Sequence, residues 1–350
     1  MELPETLQRQ AAACAALGSQ MYAELLDHLV ADQRAGGVSV RVLAGYEDRP
    51  FGEAIGLRLL AAVHRMVLSG TAPELAAYYP SVDGAWDAVR GWAAFEQVLQ
   101  MRADEVRSLL VQPPQTNEVG RAAALYGGLL HLVEPIGLPV RLYEIGASGG
   151  LNLRADHYRY FAEGTSYGPT GSPVVFESAW TGRVPSIELR IAERVGCDIA
   201  PVDASTEAGA ITLTSYVWPD MSERLARLRG ALRVARRVPA GVRGEDAVSF
   251  LNGVSLAAGH ITVVWHSIMC QYLSRPDRAA IEARLAELGP PATRTAPLAH
   301  LSFEPHSVPA GTDEHHRYEF RIDLQTWPDG GARTLGTATP HGRDLIWSSQ

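Results

Sequence analysis

A short stretch near the middle of the chain, Leu142–Asn152, constrains the fold more than any other. It reads L-Y-E-I-G-A-S-G-G-L-N, so apolar and aromatic residues lead into Glu144 and a cluster of small residues follows. This pattern predicts a buried strand that ends in a tight turn and continues into a helix. Because the turn carries almost no side chains, its main-chain N–H groups can approach a ligand closely. We therefore expect a cofactor to bind at the carboxyl end of this strand.

The composition narrows the class of protein. The 350 residues and 46% hydrophobic content suffice for one large domain or two ordinary ones. A formal charge of −8 without blocks of like charge argues against a nucleic-acid partner and favours a small-molecule substrate. The sequence contains no lysine, which excludes Schiff-base chemistry and P-loop phosphate binding. No apolar run reaches the length of a membrane span and the N-terminus lacks a signal peptide, so we expect a cytoplasmic protein without a membrane partner.

Metal-ligand motifs are not evident in the sequence. The three cysteines are far apart and form neither a disulfide framework nor a zinc motif: Cys14, Cys197 and Cys270. Histidines and acids cluster late in the chain, at Glu304, His306, Asp313, Glu314, His315 and His316. Their spacing matches no metal-binding motif, and it favours a solvated acidic loop. We therefore expect no metal site.

The chain before the glycine turn has the pattern of a helical domain. Apolar residues recur at helical spacing in segments that glycine and proline separate: Glu5–Leu17, Met21–Ala35, Phe51–Leu68 and Asp87–Leu110. We expect residues 1–115 to form a helical cap domain. Residues 116–350 are expected to form an α/β domain with a Rossmann-like sheet that ends in an antiparallel hairpin. The cap is expected to cover the carboxyl ends of the strands and exclude water.

Acidic residues follow the predicted strands that come after the glycine turn. Asp198 lies in G-C-D-I-A-P and Asp246 lies in V-R-G-E-D-A. A carboxylate at the end of a strand can accept two hydrogen bonds from a vicinal diol. Glu177 is the alternative to Asp198, because it lies nearer the usual spacing of about twenty residues after the turn.

The spacing of Glu144, Gly146, Ser148 and Gly150 resembles the first motif of class I S-adenosylmethionine-dependent methyltransferases. In that motif an acidic residue is followed by three small residues at alternate positions, and serine here replaces the middle glycine. The resemblance implies S-adenosylmethionine as the cofactor, bound by these four residues with Asn152. It also implies that Asp198 holds the ribose and that Asp246 lies near the adenine.

The same turn permits other interpretations. Residues 146–150 also match G-x-S-x-G, the nucleophile elbow of α/β-hydrolases, with Ser148 as the nucleophile. Its acid and histidine would come later in the chain, from Asp246 or Glu304 and from His306 or His341. A third hypothesis is a non-catalytic protein that binds a nucleotide or another small ligand on the same fold. A purely structural turn between a strand and a helix is the remaining possibility.

Acceptor chemistry is expected at two further places. Ile261–Trp265 predicts a buried strand, and His266 and Ser267 follow at its end. We predict His266 as the general base, because the ordinary histidine pKa of about 6.5 is close to neutral pH. Glu304, at the end of the next predicted strand, is expected to orient the imidazole or to bind the acceptor. The alternative is that His266 has a structural role and only hydrogen-bonds a backbone group at the end of the strand.

The segment T-N-E-V-G-R just before the first strand is expected to reach the substrate. It contributes Asn117, Glu118 and Arg121 to the predicted substrate-binding residues, with Ser267. This segment and the later phrases E-I-G-A-S-G-G-L-N-L, G-C-D-I-A-P-V-D, V-W-P-D, V-V-W-H-S and S-F-E-P resemble, in this order, the bacterial domain of unknown function family 2332. That resemblance covers nearly the whole chain and implies no activity by itself.

Overall fold

The computed structural model describes residues 2–111, 114–308 and 317–348. The chain divides into two units, and each has its own contacts. One unit contains Met1–Thr116 and Thr206–Arg229, and the other contains Asn117–Ser205 and Gly230–Gln350. Part of the histidine-rich loop considered above as a metal site, namely Asp313, Glu314, His315 and His316, lies outside the described residues.

Helices dominate the first unit and alternate with strands in the second. In chain order, the α-helices of the described residues are α1 (Leu3–Ala16), α2 (Gln20–Arg34), α3 (Val38–Val42), α4 (Ile55–Leu68), α5 (Pro73–Ala76), α6 (Ala88–Met101), α7 (Ala103–Leu110), α8 (Ala122–Val133), α9 (Glu207–Ser215), α10 (Ser222–Ala235), α11 (Ala247–Asn252) and α12 (Arg275–Leu288). In the described ranges, no helix is long and apolar enough to cross a membrane.

The helical unit is built around one apolar core. Leu7, Leu25, Leu59 and Phe95 are fully buried there, on helices whose apolar residues recur every three or four positions. His64 is also buried in this unit, with its ring nitrogens 3.1 Å from the Ser215 carbonyl oxygen and 2.8 Å from Ser81 Oγ. Burial lowers the pKa of His64 to about 4, so its imidazole is neutral and structural.

Thr206–Arg229 belongs to the helical unit, although the sequence places it in the second domain. Its helix α9 packs on α4, where the Ser215 carbonyl oxygen contacts His64. Trp218 joins the same apolar core. An amphipathic pattern shows that one helix face is buried but does not specify its partner, so this assignment required the tertiary structure.

The second unit contains two sheets. In chain order, the strands are β1 (Val140–Ile145), β2 (Arg159–Ala162), β3 (Thr165–Tyr167), β4 (Val175–Phe176), β5 (Ile191–Asp198), β6 (Gly241–Gly244), β7 (Ile261–Ser267), β8 (Leu298–Val308), β9 (Arg317–Trp327), β10 (Ala332–Ala338) and β11 (Ile346–Trp347). Eight form a mostly parallel sheet in the order β11-β10-β9-β8-β7-β1-β5-β6, and the others form a small sheet in the order β3-β2-β4. The protein is therefore a mixed α/β protein.

Strands β1 and β7 lie at the centre of the large sheet and pair in parallel, with Tyr143 opposite Val264 and Glu144 opposite Trp265. Residues 261–266 of β7 are all buried, as expected for a parallel strand covered on both faces. One face packs on α11 and α12, because Val264 shares a core with Phe250 and Ile281. Helix α8 packs on the opposite face at β8, where a β-carbon on Gly128 would lie 2.8 Å from Leu301, the residue that pairs with Trp265.

The last strands are antiparallel. Strand β8 pairs directly with β9, from Leu298 opposite Trp327 to Val308 opposite Arg317. Strands β9 and β10 then form the hairpin that the sequence indicates, and β11 pairs with the outer edge of β10. The parallel part of the sheet thus ends at β8.

The connection after the glycine turn differs from the expected helix. Asn152–His157 forms a six-residue 3₁₀-helix, and the chain then enters the small sheet. Buried tyrosines explain this course, because the Tyr158 hydroxyl donates to the Leu151 carbonyl at 2.6 Å and the Tyr160 hydroxyl donates to the Ala155 carbonyl at 2.8 Å. These bonds and the burial of both rings hold the chain against the turn, so it cannot continue as an α-helix.

Candidate functional site

The order of the parallel strands reverses beside β1. From β1 the chain proceeds to β5 and β6 on one side and then returns to β7 and β8 on the other. Ligands of open parallel sheets bind at such a switch point, outside the carboxyl ends of the strands. Two loops meet there, because a β-carbon added to Gly146 after β1 would lie 3.2 Å from Cβ of Met269 after β7.

Positive φ angles shape the turn after β1, at Gly146 (71°), Ser148 (51°) and Gly150 (65°). This left-handed conformation is unstrained for glycine and uncommon for serine. Gly150 is also required for space, since a β-carbon there would lie 2.8 Å from Cγ2 of Val242. Gly146 is exposed whereas Ser148 is buried. The turn therefore presents bare backbone to solvent at Gly146.

Asp198, at the end of β5, contacts this turn. Its Oδ2 accepts a hydrogen bond from the Ser148 main-chain N–H at 2.9 Å, and its Oδ1 accepts one from Ala200 at 3.0 Å. The competing acid, Glu177, is exposed and follows β4 of the small sheet. The structure thus places Asp198 beside the glycine turn and Glu177 on a different sheet.

Asp246, the acid predicted near the adenine, caps helix α11. Its Oδ1 accepts hydrogen bonds from the main-chain N–H groups of Val248 and Ser249, at 3.0 and 2.9 Å. Its Oδ2 accepts the Ser249 hydroxyl at 2.6 Å. These bonds lower the pKa of Asp246, which is exposed. Helix capping accounts for this residue type at this position without a ligand.

Glu144 is buried at the end of β1, beside the turn. Its Oε1 accepts a hydrogen bond from Trp265 Nε1 at 3.2 Å. Its Oε2 is buried and has no hydrogen-bond partner among the described residues. Burial raises the pKa of Glu144 to about 8 despite the bond from Trp265, so this carboxyl is mostly protonated at neutral pH.

The predicted substrate segment lies against the glycine turn. Asn117 Oδ1 accepts a hydrogen bond from the Leu151 main-chain N–H at 2.9 Å. Asn152 Nδ2 donates to the Glu118 carbonyl oxygen at 3.4 Å, while Asn152 Oδ1 is buried without a partner in the described part of the chain. Asn117 and Asn152 therefore join this segment to the glycine turn.

Arg121 connects the same segment to the chain at Ser267 and at Pro340 through hydrogen bonds. Its guanidinium donates to the carbonyl oxygen of Ser267 at 3.1 Å and to that of Pro340 at 3.2 Å. Glu118 Oε2 lies 3.3 Å from His341 Nδ1. The four predicted substrate residues, Asn117, Glu118, Arg121 and Ser267, thus come together, and their described contacts hold loops in place.

His266 and Glu304 form a buried pair at the ends of β7 and β8. The distance from His266 Nδ1 to Glu304 Oε1 is 2.8 Å, and the residues are 4% and 7% exposed. His266 Nε2 lies 2.9 Å from His300 Nε2, and Cys270 Sγ lies 3.9 Å from His266 Nδ1. Glu304 Oε1 also accepts a hydrogen bond from the Met269 main-chain N–H at 3.0 Å. The sequence predicts the proximity of His266 and Glu304, whereas the positions of Cys270 and His300 beside them emerge only from the fold.

The environment changes the protonation expected for this cluster. Burial lowers the pKa of His266, but the contacts with Cys270 and Glu304 outweigh burial and raise it to about 9. Burial and the nearby His266 lower the pKa of His300 to about 3. Burial raises the pKa of Glu304, but the contacts with His266 outweigh it and lower that pKa. The general-base prediction assumed a pKa near 6.5, whereas these contacts raise the pKa of His266 and favour its protonated form at neutral pH.

The two groups of polar residues lie on opposite faces of the sheet. Glu144 and Trp265 are paired across β1 and β7, and alternation places Val264 and His266 on the opposite face of β7 from Trp265. Val264 belongs to the core formed with α11 and α12. The face that carries His266 is therefore the one covered by α11 and α12. The contacts of the described residues bring the two groups near each other at the strand ends, where Met269 donates to Glu304 and lies beside Gly146.

The histidines of the hydrolase hypothesis have other described partners. His306 Nε2 lies 3.0 Å from Asp323 Oδ2, on the neighbouring strand β9. His341 lies beside Glu118. Ser148 has a positive φ, as in a strained nucleophile turn, and its main-chain N–H donates to Asp198 Oδ2.

A cavity of about 610 Å³ lies elsewhere in this unit. Its lining includes His131, Arg294, Trp327 and Arg333. Trp327 is paired with the first residue of β8, so this cavity lies at the amino ends of the parallel strands. It does not overlap the glycine turn.

The fold and site define an α/β protein whose polar residues converge at the carboxyl ends of a mostly parallel sheet. The chain belongs to the family described as "Uncharacterized protein conserved in bacteria (DUF2332)", whose profile matches residues 4–347. No curated protein and no solved structure matches it significantly.

Proposed function

We propose that this protein is an S-adenosylmethionine-dependent methyltransferase that acts on a small-molecule acceptor. The position of the glycine turn carries the proposal, because the turn follows β1, the first parallel strand, in the order β6-β5-β1-β7-β8. Counted along the chain, these strands run 3-2-1-4-5, the order of doubly wound nucleotide-binding sheets. Asp198 ends the adjacent strand, where such sheets place a ribose-binding acid.

Two buried acceptor atoms beside the turn fit this cofactor. Glu144 Oε2 and Asn152 Oδ1 have no hydrogen-bond partner among the described residues. Leaving a buried acceptor unpaired costs about 1–3 kcal/mol, so a donor is expected there. The methionine part of the cofactor carries an ammonium group, which could donate to Asn152 Oδ1 and would favour the ionised form of Glu144, a carboxyl that is mostly protonated in the free protein. When bound, the cofactor would supply an electrophilic methyl group.

The residues around the turn also fit the rest of the cofactor. A carboxylate has about four lone-pair sites, and the main-chain bonds to Asp198 use two of them, so two remain for a ribose diol. The exposed backbone at Gly146 allows a close approach. The role of Asp246 near the adenine stays a prediction, because its carboxylate already caps α11.

The acceptor is expected on the side of β7 and β8. His266 and Glu304 lie at the ends of these strands, and Met269 connects them to the turn. In this arrangement Glu304 fixes the orientation of the imidazole and holds the proton on Nδ1. We expect the pair to orient an acceptor, whose proximity to the cofactor would supply much of the rate enhancement.

A non-catalytic ligand-binding protein on the same fold is the second candidate. The observation that favours it is that several predicted functional groups already serve internal bonds. Asp246 caps a helix, Arg121 holds two carbonyl groups, and the His266 proton is held by Glu304. Ligand binding without methyl transfer to any acceptor would support this candidate over the enzyme.

Calorimetry with S-adenosylmethionine and S-adenosylhomocysteine tests the proposal. We expect both to bind with micromolar dissociation constants, equivalent to about −8 kcal/mol. Adenosine triphosphate serves as a control nucleotide and should bind far more weakly, because the predicted site carries no phosphate-binding lysine. The absence of binding by either cofactor form to the folded chain would remove the proposal.

A further inference from the structure

We propose that His266, Cys270 and Glu304 bind a divalent zinc ion at the ends of β7 and β8. Each offers one ligand atom, and the three atoms lie within 4.8 Å of one another. The individual distances are 2.8 Å from His266 Nδ1 to Glu304 Oε1 and 3.9 Å from Nδ1 to Cys270 Sγ. Tetrahedral zinc sites have ligand bonds of about 2.0–2.3 Å, which place neighbouring ligand atoms about 3.3–3.6 Å apart. The two observed distances, 2.8 and 3.9 Å, lie on either side of this range.

The arrangement converges on one point and does not form a proton relay. In a nucleophile–histidine–acid triad, the nucleophile and the acid contact different nitrogens of the imidazole ring. Here Cys270 and Glu304 both face Nδ1, whereas Nε2 faces His300. A thiol and a carboxylate that share one imidazole nitrogen surround a common centre, as the ligands of a cation do.

Glu304 supplies a second and independent observation. The residue is 7% exposed, and its Oε2 has no hydrogen-bond partner among the described residues. Its Oε1 is held by the main-chain N–H of Met269. A carboxylate fixed by one oxygen and unsatisfied at the other, beside a thiol and an imidazole, is suited to a cation.

His300 supports the ligand geometry from the other side of the ring. Its Nε2 lies 2.9 Å from His266 Nε2, so one hydrogen atom is shared between the two rings. Zinc-binding histidines commonly use their second ring nitrogen in such a bond, which fixes the ring orientation and the tautomer. The unused position of a three-ligand site is open to water or substrate. Cys270 is half-buried, so an ion there is within reach of solvent.

This site stands independently of the methyltransferase proposal, since it needs no S-adenosylmethionine. If both hold, the ion takes the place of the proton on His266 Nδ1, lies on the acceptor side and would lower the pKa of an acceptor hydroxyl or thiol. Calorimetry with S-adenosylmethionine tests the methyltransferase proposal, and metal analysis tests the zinc site. Either proposal can therefore fail without the other.

The test uses the full chain and metal ions alone. We expect the purified protein to contain about one zinc ion per chain by elemental analysis, and the chelator-treated protein to bind Co²⁺. A cysteine ligand should give a near-ultraviolet charge-transfer absorption band in the cobalt form. Cys270→Ser should abolish this band, and His300→Gln should lower the affinity for zinc by about 10- to 100-fold.

His260→Asn is the matched control, because this histidine lies just before β7, at the opposite end of the same strand. It should retain the band and the zinc content. Retention of the band by Cys270→Ser would place the thiolate ligand at another cysteine and overturn the proposal. A folded wild-type chain that holds no zinc and develops no cobalt band would overturn it as well.

Discussion

The carboxylate of Asp198 accepts a hydrogen bond from the main-chain N–H of Ser148, with 2.9 Å between Oδ2 and N. Ser148 adopts a φ of 51°, a conformation that costs a non-glycine residue about 1–3 kcal/mol. A hydrogen bond to a charged acceptor contributes about 1.5–3 kcal/mol, so this contact offsets the strain. The end of β5 therefore stabilises the shape of the turn after β1.

Replacing Asp198 with Asn should destabilise the turn. The amide keeps one acceptor oxygen but removes the charge, so we expect the free energy of unfolding to fall by about 1–2 kcal/mol. If S-adenosylmethionine binds as proposed, its affinity should fall about tenfold or more in the same variant. Urea denaturation and calorimetry measure the two effects.

Glu177→Gln is the matched control for Asp198→Asn. Glu177 is an exposed acid of the same unit and directly follows β4 of the small sheet. Its replacement should change stability by no more than about 0.5 kcal/mol and leave ligand affinity unchanged. An effect of Glu177→Gln on affinity, with none from Asp198→Asn, would reverse the assignment of the ribose acid.

Comparing Gly146→Ala with Gly137→Ala distinguishes the effect of backbone strain on stability from the effect of an added methyl group on ligand binding. Gly146 and Gly137 have nearly equal φ angles, 71° and 73°, so alanine is strained at both by about 1 kcal/mol. A β-carbon at Gly137 meets no atom within 4 Å, whereas at Gly146 it contacts Met269. Both variants should lose similar stability, but only Gly146→Ala should weaken cofactor binding. Equal affinities would mean that the cofactor does not approach Gly146.

Glu144→Gln should change how stability depends on pH. The pKa of Glu144 is about 8 in the folded protein, above the ordinary glutamate value of 4.5. The folded state therefore binds more protons between these values, and wild-type stability falls as the pH rises from 4.5 to 8. A shift of this size amounts to roughly 3 kcal/mol at pH 7.

Glutamine cannot ionise, so Glu144→Gln should lack this loss and gain stability relative to the wild type as the pH rises. Urea denaturation at pH 5 and pH 8 measures the difference. Glu134→Gln, at an exposed acid after α8, is the control and should leave the pH dependence unchanged. Parallel pH profiles for Glu144→Gln and the wild type would show that Glu144 is ionised in the folded protein.

Ser148 should not react with a fluorophosphonate probe. The described contacts of His306 and His341 are with Asp323 and Glu118. In addition, Ser148 is buried, so it lacks the accessibility that a hydrolase nucleophile needs. Mass spectrometry of the treated chain measures labelling, with Ser148→Ala as the reference. Labelling of the wild type that disappears in Ser148→Ala would favour the hydrolase hypothesis.

Several local features of the fold were readable from the sequence. A run of apolar residues identified β7, and three glycines identified the turn after β1, because each depends on residues close together in the chain. The antiparallel pairing of β9 with β10 followed from two strand-like segments joined by Gly330 and Gly331. The pairing of His266 with Glu304 followed because the carboxyl ends of neighbouring parallel strands meet at one edge.

Other features required the tertiary structure. The choice between Asp198 and Glu177 depends on which strand pairs with β1, and no local pattern specifies that pairing. His300 joins His266 only because β7 and β8 are in register, with His266 opposite Ser302, and Cys270 returns to His266 through the turn after β7. Strand order and register arise from contacts between distant segments, which become favourable only after the loops between them have closed. The sequence by itself determined the strand and its turn, and the folded sheet decided which side chains gather around them.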